Sequence, residues 1–442
     1  MAICITSLGT NAQTKTTLKV KDLTPVSDKM MENAVIYEAN IRQYSPEGTF
    51  NAFAKDIPQL KKLGIRILWV MPIFPIGIEK RKEGLGSYYS VKNYKGINSE
   101  FGNLEDFKNL VKKAHENGMY VILDWVANHS AWDHAWVKEH PEYYVTDKEG
   151  EMVSPFDWTD VVKLNYTNPE MRKAMIADMD YWLKNTNTDG FRCDVAMEVP
   201  ADFWNDATAQ LNKTKPIFML MEAEQPNLME KAFDMGYGWE FYHLMNDVYS
   251  GKKTVKDIDN YMVEHSKKYE KDDITMNFIS NHDENSWNGT EYERLSDAVP
   301  TFTALTYLTT GMPLIYNGQE YDFNKRLKFF VKDEITHAKG KMFPLYEKLG
   351  ELKNSNAALN GGKKAASYTR IPTSNDEQVL AFAREKGSKK IIYIGNLSKD
   401  NLSFSAAIEG TFLDYMTGKK MTFKKGKKWS YKPWEYQILV KQ

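Results

Sequence analysis

Cysteine, long apolar runs and a surplus of charge of either sign are all scarce in this sequence. It contains two cysteines, Cys4 near the start and Cys193 inside an apolar run, so we expect no disulfide. No stretch approaches about 18 uninterrupted apolar residues, so no membrane-spanning helix is expected. The formal net charge is −1, which leaves no basic field to hold a phosphate backbone, and nucleic acid is therefore not an expected partner.

The chain of 442 residues is too long for one ordinary core, so we expect a large domain together with a smaller one. Its composition, with 42% hydrophobic and 26% charged residues, is typical of a globular protein. Aromatic residues are plentiful, with 11 Trp, 25 Tyr and 21 Phe. Such rings fill a core or stack on the flat apolar faces of sugars, and composition leaves both roles open.

The N-terminal segment, residues 1–29, lies before the first predicted strand. Its start, MAICITSLGTNAQ, has a short apolar region and ends in Thr-Asn-Ala before Gln13, which resembles the end of a secretory signal peptide. We therefore expect export to the periplasm or the exterior. The alternative is an ordinary terminus of a cytoplasmic protein, because the segment lacks the usual positive start.

Short apolar runs alternate with longer amphipathic stretches between residues 30 and 357. The predicted strands are VIYEANI (35–41), RILWVMP (66–72), YVILDWV (120–126), GFRCDV (190–195), IFMLME (217–222), WEFYHLM (239–245), MNFIS (276–280) and PLIYNGQ (313–319). Residues 104–118 show the three- and four-residue spacing of a helix, with Gly118 as its cap. Eight strands alternating with helices predict an α/β fold, a (β/α)8 TIM barrel, better than an open sheet.

Two regions depart from this alternation. The interval between the third and fourth strands is too long for one crossover helix, and residues 130–168, rich in Trp, Tyr, His and Asp, are predicted to form an excursion from the barrel. After residue 358 the runs SYTRI, VLAFAR, KIIYIGNL and YQILV read as short strands separated by turn residues. Residues 358–442 are therefore predicted to form a C-terminal antiparallel β-sandwich domain.

Polar side chains gather where several predicted strands end. The third strand ends at Asp124, and the fourth carries Arg192 and Asp194. The fifth ends at Glu222, and Asp283 follows the seventh. In a barrel the C-terminal ends of all strands meet at one mouth, where the chemistry of such folds is found. We therefore expect these groups to converge although they are far apart in the sequence.

The residue types at these strand ends indicate a particular chemistry. Arg192 and Asp194 are two residues apart on a strand and so point to the same side, where the guanidinium orients the carboxylate and keeps it ionised. Glu222 ends an apolar run, where desolvation raises the pKa of a carboxyl group and keeps a proton available. Two carboxyl groups in these two states, about 5–5.5 Å apart, are what retaining glycoside cleavage requires. Asp283 is a third acid, placed to bind sugar hydroxyls.

Each of these residues also has a structural explanation when taken alone. Arg192 and Asp194 could be a buried ion pair that braces the barrel, and Glu222 could be a surface residue at a strand end. His129 and His282 could be ordinary core or loop histidines. The joint pattern favours a site, because independent accidents would not fall together at the ends of strands three, four, five and seven.

As a set, these segments resemble the α-amylase family, glycoside hydrolase family 13, over most of the chain from about residue 30. The segments that carry the resemblance are SYYSVKNYKGINSEFGNLEDF (87–107), DWVANH (124–129), GFRCD (190–194), FMLMEAE (218–224) and ISNHDE (279–284). The resemblance implies that Asp194 is the nucleophile, Glu222 the acid/base and Asp283 the third acid. Alignment of the apolar run places the acid/base on Glu222 and not on Glu224.

The resemblance also implies the substrate-binding residues. Tyr89 would stack under the cleaved sugar, His129 and His282 would hydrogen-bond it, and Arg192 would orient the nucleophile. The remaining acid of the third strand, Asp124, is expected to be structural and to lie near the arginine.

The resemblance fails at one position that bears on metal binding. Many relatives carry an acidic residue in the excursion that helps to hold calcium beside the equivalent of Asn128, and this chain has Lys163 there. A lysine ammonium would supply positive charge at the same spot. We therefore expect no metal and no other cofactor, with Lys163 as the argument against calcium.

Two segments favour one subgroup of the family. KLN (163–165) and DVAMEVPADFW (194–204) resemble neopullulanases and cyclomaltodextrinases, with Met197 where Asn is usual. The expected substrate is an α-glucan or maltooligosaccharide with α-1,4 bonds, and the subgroup would add cyclic dextrins. The oligomeric state is not predicted.

Three tryptophans of the excursion, Trp132, Trp136 and Trp158, have two candidate roles. They could stack on further glucose units, or they could form the core of the excursion. Two rival functions also stay open: a transglycosylase, which passes the glycosyl intermediate to a sugar, and a non-catalytic glucan-binding barrel, since fold does not guarantee activity.

Overall fold

The computed structural model describes residues 28–424 and 426–441. The predicted signal peptide and Cys4 lie outside the described residues, so export stays a prediction. Within the described residues, no helix is long and apolar enough to cross a membrane. Cys193 is buried as a free thiol.

Eight parallel strands close into a barrel, each hydrogen-bonded to its neighbours in chain order, so the predicted TIM barrel is confirmed. The barrel strands are β1 (Val35–Ala39), β2 (Ile65–Val70), β3 (Tyr120–Trp125), β4 (Gly190–Cys193), β5 (Phe218–Met221), β6 (Met235–Tyr237), β7 (Ile274–Asn277) and β8 (Met312–Tyr316).

Helices surround the barrel and cover the outer faces of its strands. In chain order they are α1 (Asp28–Asn33), α2 (Ile41–Tyr44), α3 (Phe50–Ala54), α4 (Ile57–Lys62), α5 (Leu104–Glu116), α6 (Ala135–Glu139), α7 (Pro169–Thr186), α8 (Ala201–Leu211), α9 (Pro226–Met229), α10 (Trp239–Ser250), α11 (Val255–Lys268), α12 (Glu291–Leu295), α13 (Val299–Leu308) and α14 (Met342–Ser355). The predicted helix 104–118 is α5, which begins with a capping box at Asn103 and is followed by Gly118 in the left-handed region.

Successive strand residues face two different apolar layers. Ile36, Ile67 and Trp69 belong to a cluster inside the barrel, whereas Tyr37 and Leu68 belong to the larger cluster between strands and helices. This division follows from the alternation of side chains along a strand. Because both layers are apolar, any charged group on a barrel strand needs a buried partner.

The predicted sixth strand is wrong. WEFYHLM (239–245) lies in α10, and the sixth strand is the three-residue segment Met235–Tyr237 just before it. Phe241, Leu244 and Met245 recur at three- and four-residue spacing and are buried on one face of the helix, which is helical periodicity. The true strand is too short and too close to glycine residues to show a period of its own.

The excursion lies between β3 and β4, as predicted. A two-stranded antiparallel pair, His129–Ala131 with Val161–Lys163, closes its base, and α6 packs above. His129 is directly opposite Lys163 in this pair. The excursion is thereby fixed to the end of β3, where the site residues begin.

The C-terminal region forms two antiparallel sheets over a separate apolar cluster. Its strands are β9 (Ser367–Arg370), β10 (Val379–Lys386), β11 (Lys389–Asn396), β12 (Leu402–Ser405), β13 (Gly410–Asp414), β14 (Lys419–Phe423), β15 (Lys428–Tyr431) and β16 (Tyr436–Val440). The four predicted runs correspond to β9, β10, β11 and β16. The other four strands are short and rich in Lys, Ser and Thr, and their alternation was not recognised.

A fully buried arginine, Arg384 on β10, links this region to the barrel. Its guanidinium donates hydrogen bonds to backbone carbonyls of Leu308, Thr309, Asn360, Ala366 and Ser367. The first two carbonyls end α13, and the other three belong to the chain leading into the C-terminal sheets. One side chain therefore supplies hydrogen-bond donors to backbone carbonyls of both the barrel and the C-terminal region.

Candidate active site

A cavity of about 440 Å³ opens at the C-terminal ends of the barrel strands. Six of the seven predicted site residues line it: Tyr89, His129, Asp194, Glu222, His282 and Asp283. The seventh, Arg192, is fully buried beneath them. A larger hollow of about 630 Å³ lies at the other end of the barrel, where strands begin, and none of the predicted residues lines it.

Arg192 occupies the centre of the site. Its Nη1 donates to Asp124 Oδ1 at 2.9 Å and to Asp194 Oδ1 at 3.0 Å. Its Nη2 lies 2.9 Å from Glu222 Oε2, an ion pair that lacks the alignment of a hydrogen bond. The guanidinium also lies over the ring of Trp69, at 4.9 Å from its centroid. Arg192 on β4 and Asp194 directly after that strand thus lie together because the charge of each stabilises the other.

Asp194 and Glu222 form a coupled pair above this arginine. Burial raises the pKa of Asp194 well above its ordinary value, the Glu222 charge raises it further, and Arg192 opposes both. Burial also raises the pKa of Glu222, and Arg192 lowers it. Glu222 Oε2 additionally accepts a hydrogen bond from the Val195 backbone N–H at 2.8 Å. Sequence reasoning expected Arg192 to keep Asp194 ionised, but burial and the Glu222 charge outweigh the guanidinium and raise its pKa. Because the two carboxyl groups interact, the protonation of each depends on the other.

Asp124 is a structural acid, as expected. It is fully buried, and its Oδ2 accepts hydrogen bonds from Trp69 Nε1 and from the Tyr89 hydroxyl, both at 3.0 Å. Arg192 donates to its other oxygen, so both oxygens of the Asp124 carboxylate are hydrogen-bonded to protein groups. It therefore fixes Arg192 and Tyr89 and leaves the pocket to the other acids.

His282 is held between two carboxylates. Its Nδ1 lies 2.5 Å from Glu38 Oε1, and its Nε2 lies 3.3 Å from Asp283 Oδ2. Nε2 is also 2.8 Å from the Tyr89 hydroxyl. Burial disfavours the imidazolium, but Asp283 and Glu38 outweigh it and raise the pKa of His282 to about 9. The ring is therefore a cation at neutral pH.

Glu38 on β1 was missed by the sequence reasoning. It is fully buried, and its second oxygen has no hydrogen-bond partner. The signal was available, because Glu38 is a lone charge in the apolar strand VIYEA, as Arg192 is in GFRC. It lies inside its strand, however, where a single charge is equally compatible with a structural ion pair.

The remaining predicted residues differ in character. Tyr89 stacks on the His282 ring with centroids 5.3 Å apart and lines the cavity. His129 is uncharged, because burial lowers its pKa to about 3. It contacts the ring of Trp158 at 5.5 Å. Both are positioned to meet a neutral polar ligand.

The three tryptophans of the excursion divide between the two candidate roles. Trp158 lines the cavity. Trp132 and Trp136 pack against the main apolar cluster, and Trp132 also donates a hydrogen bond to the carbonyl of Thr159. Two therefore build the excursion, and one faces the site.

A second group of residues in the cavity wall was not recognised from the sequence: Lys82, Asp160, Trp287, Phe329 and Phe330. They belong to loops after β2, β3, β7 and β8. Loop residues carry no periodic signal, so the sequence pattern did not indicate them. These residues decide the shape of the pocket above the acids.

Lys163, the residue expected to replace calcium, is half-buried with its Nζ 3.8 Å from Glu198 of the loop after β4. The neighbouring Asn128 amide is occupied by His129, with Nδ2 and Nδ1 3.3 Å apart. The lysine thus brings a positive charge to the junction of the excursion and the barrel.

A closed parallel barrel with a pair of carboxyl groups and a third acid at its C-terminal mouth is the arrangement of a glycoside hydrolase. Comparison with known proteins identifies the family. Residues 13–357 match the family model described as alpha amylase, catalytic domain. The chain belongs to the α-amylase family, glycoside hydrolase family 13.

Individual relatives agree with this assignment. A noncanonic maltogenic α-amylase from Thermotoga neapolitana is 31% identical, with a TM-score of 0.85 over 92% of this chain and 98% of that chain. A cyclomaltodextrinase from Thermoanaerobacter pseudethanolicus is 26% identical over 82% of this chain and 66% of its own length. An α-1,4-glucan:maltose-1-phosphate maltosyltransferase from Picrophilus torridus is 25% identical over 80% and 59%. The chain covers about three-fifths of the length of such curated relatives.

Proposed function

We propose that the enzyme cleaves α-1,4-glucosidic bonds in starch-derived maltooligosaccharides and retains the configuration of the anomeric carbon. The observation that carries the proposal is the pair Asp194 and Glu222, which share the Arg192 guanidinium at the floor of the cavity. One carboxylate and one carboxylic acid in a single pocket supply the nucleophile and the proton donor that retention requires. The names of similar proteins support an α-glucan as substrate.

In this mechanism Asp194 attacks the anomeric carbon while Glu222 gives its proton to the departing glycosidic oxygen. The bond from that carbon to the leaving sugar breaks as the glycosyl ester forms. The Glu222 carboxylate then takes a proton from water, whose oxygen attacks the same carbon and releases Asp194. Arg192 orients Asp194 for attack and stabilises its carboxylate when it is released, since Nη1 donates to Oδ1.

The other residues bind the sugar whose bond is cleaved. Asp283 accepts hydrogen bonds from ring hydroxyls, and the His282 imidazolium donates to them from beside it. His129, being neutral, can both donate and accept. Tyr89 presents an aromatic surface below the sugar.

The test is cleavage of maltoheptaose and β-cyclodextrin by the purified protein and by Asp194→Asn. We expect short maltodextrins from the wild type and a fall in kcat of about 10³-fold or more in the variant, because the nucleophile is lost. Asp297→Asn, which changes an exposed aspartate far from the cavity, should leave the rate unchanged. An active Asp194→Asn enzyme would refute the mechanism, and an inactive wild type that still binds maltoheptaose would favour the glucan-binding barrel.

A second candidate function is transfer of the glycosyl group to another sugar. The maltosyltransferase among the similar proteins favours it, because the chemistry up to the glycosyl ester is shared. Products longer than maltoheptaose, resolved by chromatography at early times, would identify transfer. Their absence at high substrate concentration would identify hydrolysis.

We also propose that no calcium is needed at the excursion, because the Lys163 ammonium supplies positive charge there. Dialysis against a chelator should then leave both the activity and the melting temperature unchanged. Loss of activity that added calcium restores would contradict the proposal.

A further inference from the structure

Two loops and one excursion residue wall off one side of the cavity, and we call them the arch: residues 78–86 after β2, residues 327–333 after β8, and Asp160. Lys82 Nζ lies 3.3 Å from Asp160 Oδ1, which joins the first loop to the excursion. The Leu85 backbone N–H donates to the Phe330 carbonyl at 2.7 Å, which joins the two loops. Gly84 approaches so closely that a Cβ there would lie 2.9 Å from the same carbonyl.

The arch is fixed at its base. Gln43, which is 1% exposed, donates from Nε2 to the carbonyls of Lys328 and Val331 at 2.9 and 3.0 Å. Its Oε1 accepts a hydrogen bond from the backbone N–H of Asp333. Since one buried side chain holds the loop at three points, the arch is a fixed wall of the site.

The inner surface of the arch is aromatic. Phe329 lies parallel to Tyr89 with centroids 6.3 Å apart, and Phe330 meets Phe329 edge-on at 5.2 Å. Trp287, 53% exposed, contacts both phenylalanines at its rim. Together with Tyr89, these rings form one aromatic surface that extends to the side of the pocket closed by the arch.

The strand order shows which half of the substrate faces the arch. The arch rises from the loops after β8 and β2, which flank β1 in the closed ring, and β5 lies across the ring from β1. Glu222 follows β5 directly. Because Glu222 protonates the leaving group in the proposed mechanism, the leaving sugars lie on its side. The arch therefore faces the other side, toward the non-reducing end of the chain.

The cavity sets the scale of what fits beneath the arch. It has a volume of about 440 Å³ and opens to solvent, so a few glucosyl units of about 150–180 Å³ each fit in it. The first leaving sugar takes part of this space, which leaves room for a short non-reducing end on the side that the arch closes.

We propose that the arch blocks the non-reducing end of the bound chain, so that the enzyme removes glucose or maltose units from free ends and does not cut inside a chain. The inference deepens the proposed function and rests on it. Lys82, Phe329 and Phe330 are the arch residues that limit how many glucose units of the substrate fit before its non-reducing end.

The experiment compares maltoheptaose with maltoheptaose whose terminal non-reducing glucose carries a 4,6-O-benzylidene group. We expect the free substrate to yield glucose or maltose as the first short product and the blocked substrate to react about tenfold more slowly or worse, because the added ring clashes with the arch. Equal rates, or first products that are internal fragments, would overturn the inference while leaving the proposed function intact. No cleavage of either substrate would overturn both.

Two variants tie the discrimination to the arch. In Phe330→Ala and Lys82→Ala, the ratio of the blocked to the free rate should rise about tenfold or more, which damage to folding would not produce, since it lowers both rates together. Lys80→Ala is the matched control, because Lys80 is on the same loop but lies over Trp132, outside the cavity. An unchanged ratio in both variants would refute the role of the arch.

Discussion

The charged residues of the site balance one another in two buried groups. Arg192 faces Asp124, Asp194 and Glu222, and the His282 imidazolium faces Glu38 and Asp283. Removing one member of such a group leaves an uncompensated charge away from water, which costs about 3–5 kcal/mol. The protonation of each acid therefore depends on the rest of its group.

Glu38→Gln tests this dependence. Glu38 and Asp283 raise the pKa of His282 to about 9, and Tyr89 and Arg192 are the other groups near the ring. A neutral amide removes part of that support, so the pKa of His282 should fall and the alkaline limb of the pH–rate profile should move to lower pH. In the wild type, the stability from this ion pair is complete below about pH 6.5 and is lost as pH rises through about 9. NMR titration of the ring and kcat/KM from pH 5 to 10 measure both effects.

The matched control for this prediction is Glu116→Gln at an exposed position on α5. It should shift neither the His282 titration nor the alkaline limb. An unchanged limb in Glu38→Gln would mean that the charge of His282 does not contribute to the rate.

At the scale of elements, the sequence predicted those strands whose apolar pattern is followed by a polar residue of the site. It found seven of the eight barrel strands, along with the residues that follow β3, β4, β5 and β7. It failed at β6, whose three residues are too few for a period, and at the arch. The path of the two arch loops is set by contacts with Gln43 and with each other, and such contacts between distant segments leave no local pattern.

Gln43→Ala should make the arch loop after β8 more mobile without unfolding the barrel. The substitution leaves the Lys328 and Val331 carbonyls and the Asp333 N–H without their partner, a loss of about 2–4 kcal/mol. Hydrogen exchange should quicken between residues 325 and 335, and the rate on the blocked substrate should rise relative to the free one. Gln210→Ala, at an exposed position on α8, serves as control. Unchanged exchange in this loop would show that other contacts hold the arch.

For the whole molecule, the decisive contact is the one between barrel and C-terminal sheets. Arg384 donates to carbonyls on both sides and makes no ion pair with an acid in the described residues. Burial lowers its pKa to about 10, so it remains charged at neutral pH. The carbonyls that stabilise this charge come from both partners, so the arginine links the C-terminal sheets to the barrel.

Arg384→Met should lower the free energy of unfolding by about 3–5 kcal/mol, because five backbone carbonyls lose their donor. Arg384→Lys should lower the free energy of unfolding by less, since lysine keeps the charge but lacks the several N–H donors of the guanidinium. Chemical denaturation followed by tryptophan fluorescence measures both, with the exposed Lys389→Met on the same hairpin as control. Equal stability of Arg384→Met and wild type would show that the sheets dock without this link.

The arch has an evolutionary consequence. It is assembled from two loops that take no part in the acid pair, so insertions, deletions or exchange of these loops can alter product length while the reaction itself is inherited unchanged. Descendants of one barrel could in this way diversify from trimming chain ends to cutting within chains. Grafting longer or shorter loops between β2 and α5 and between β8 and α14 would repeat that divergence in the laboratory.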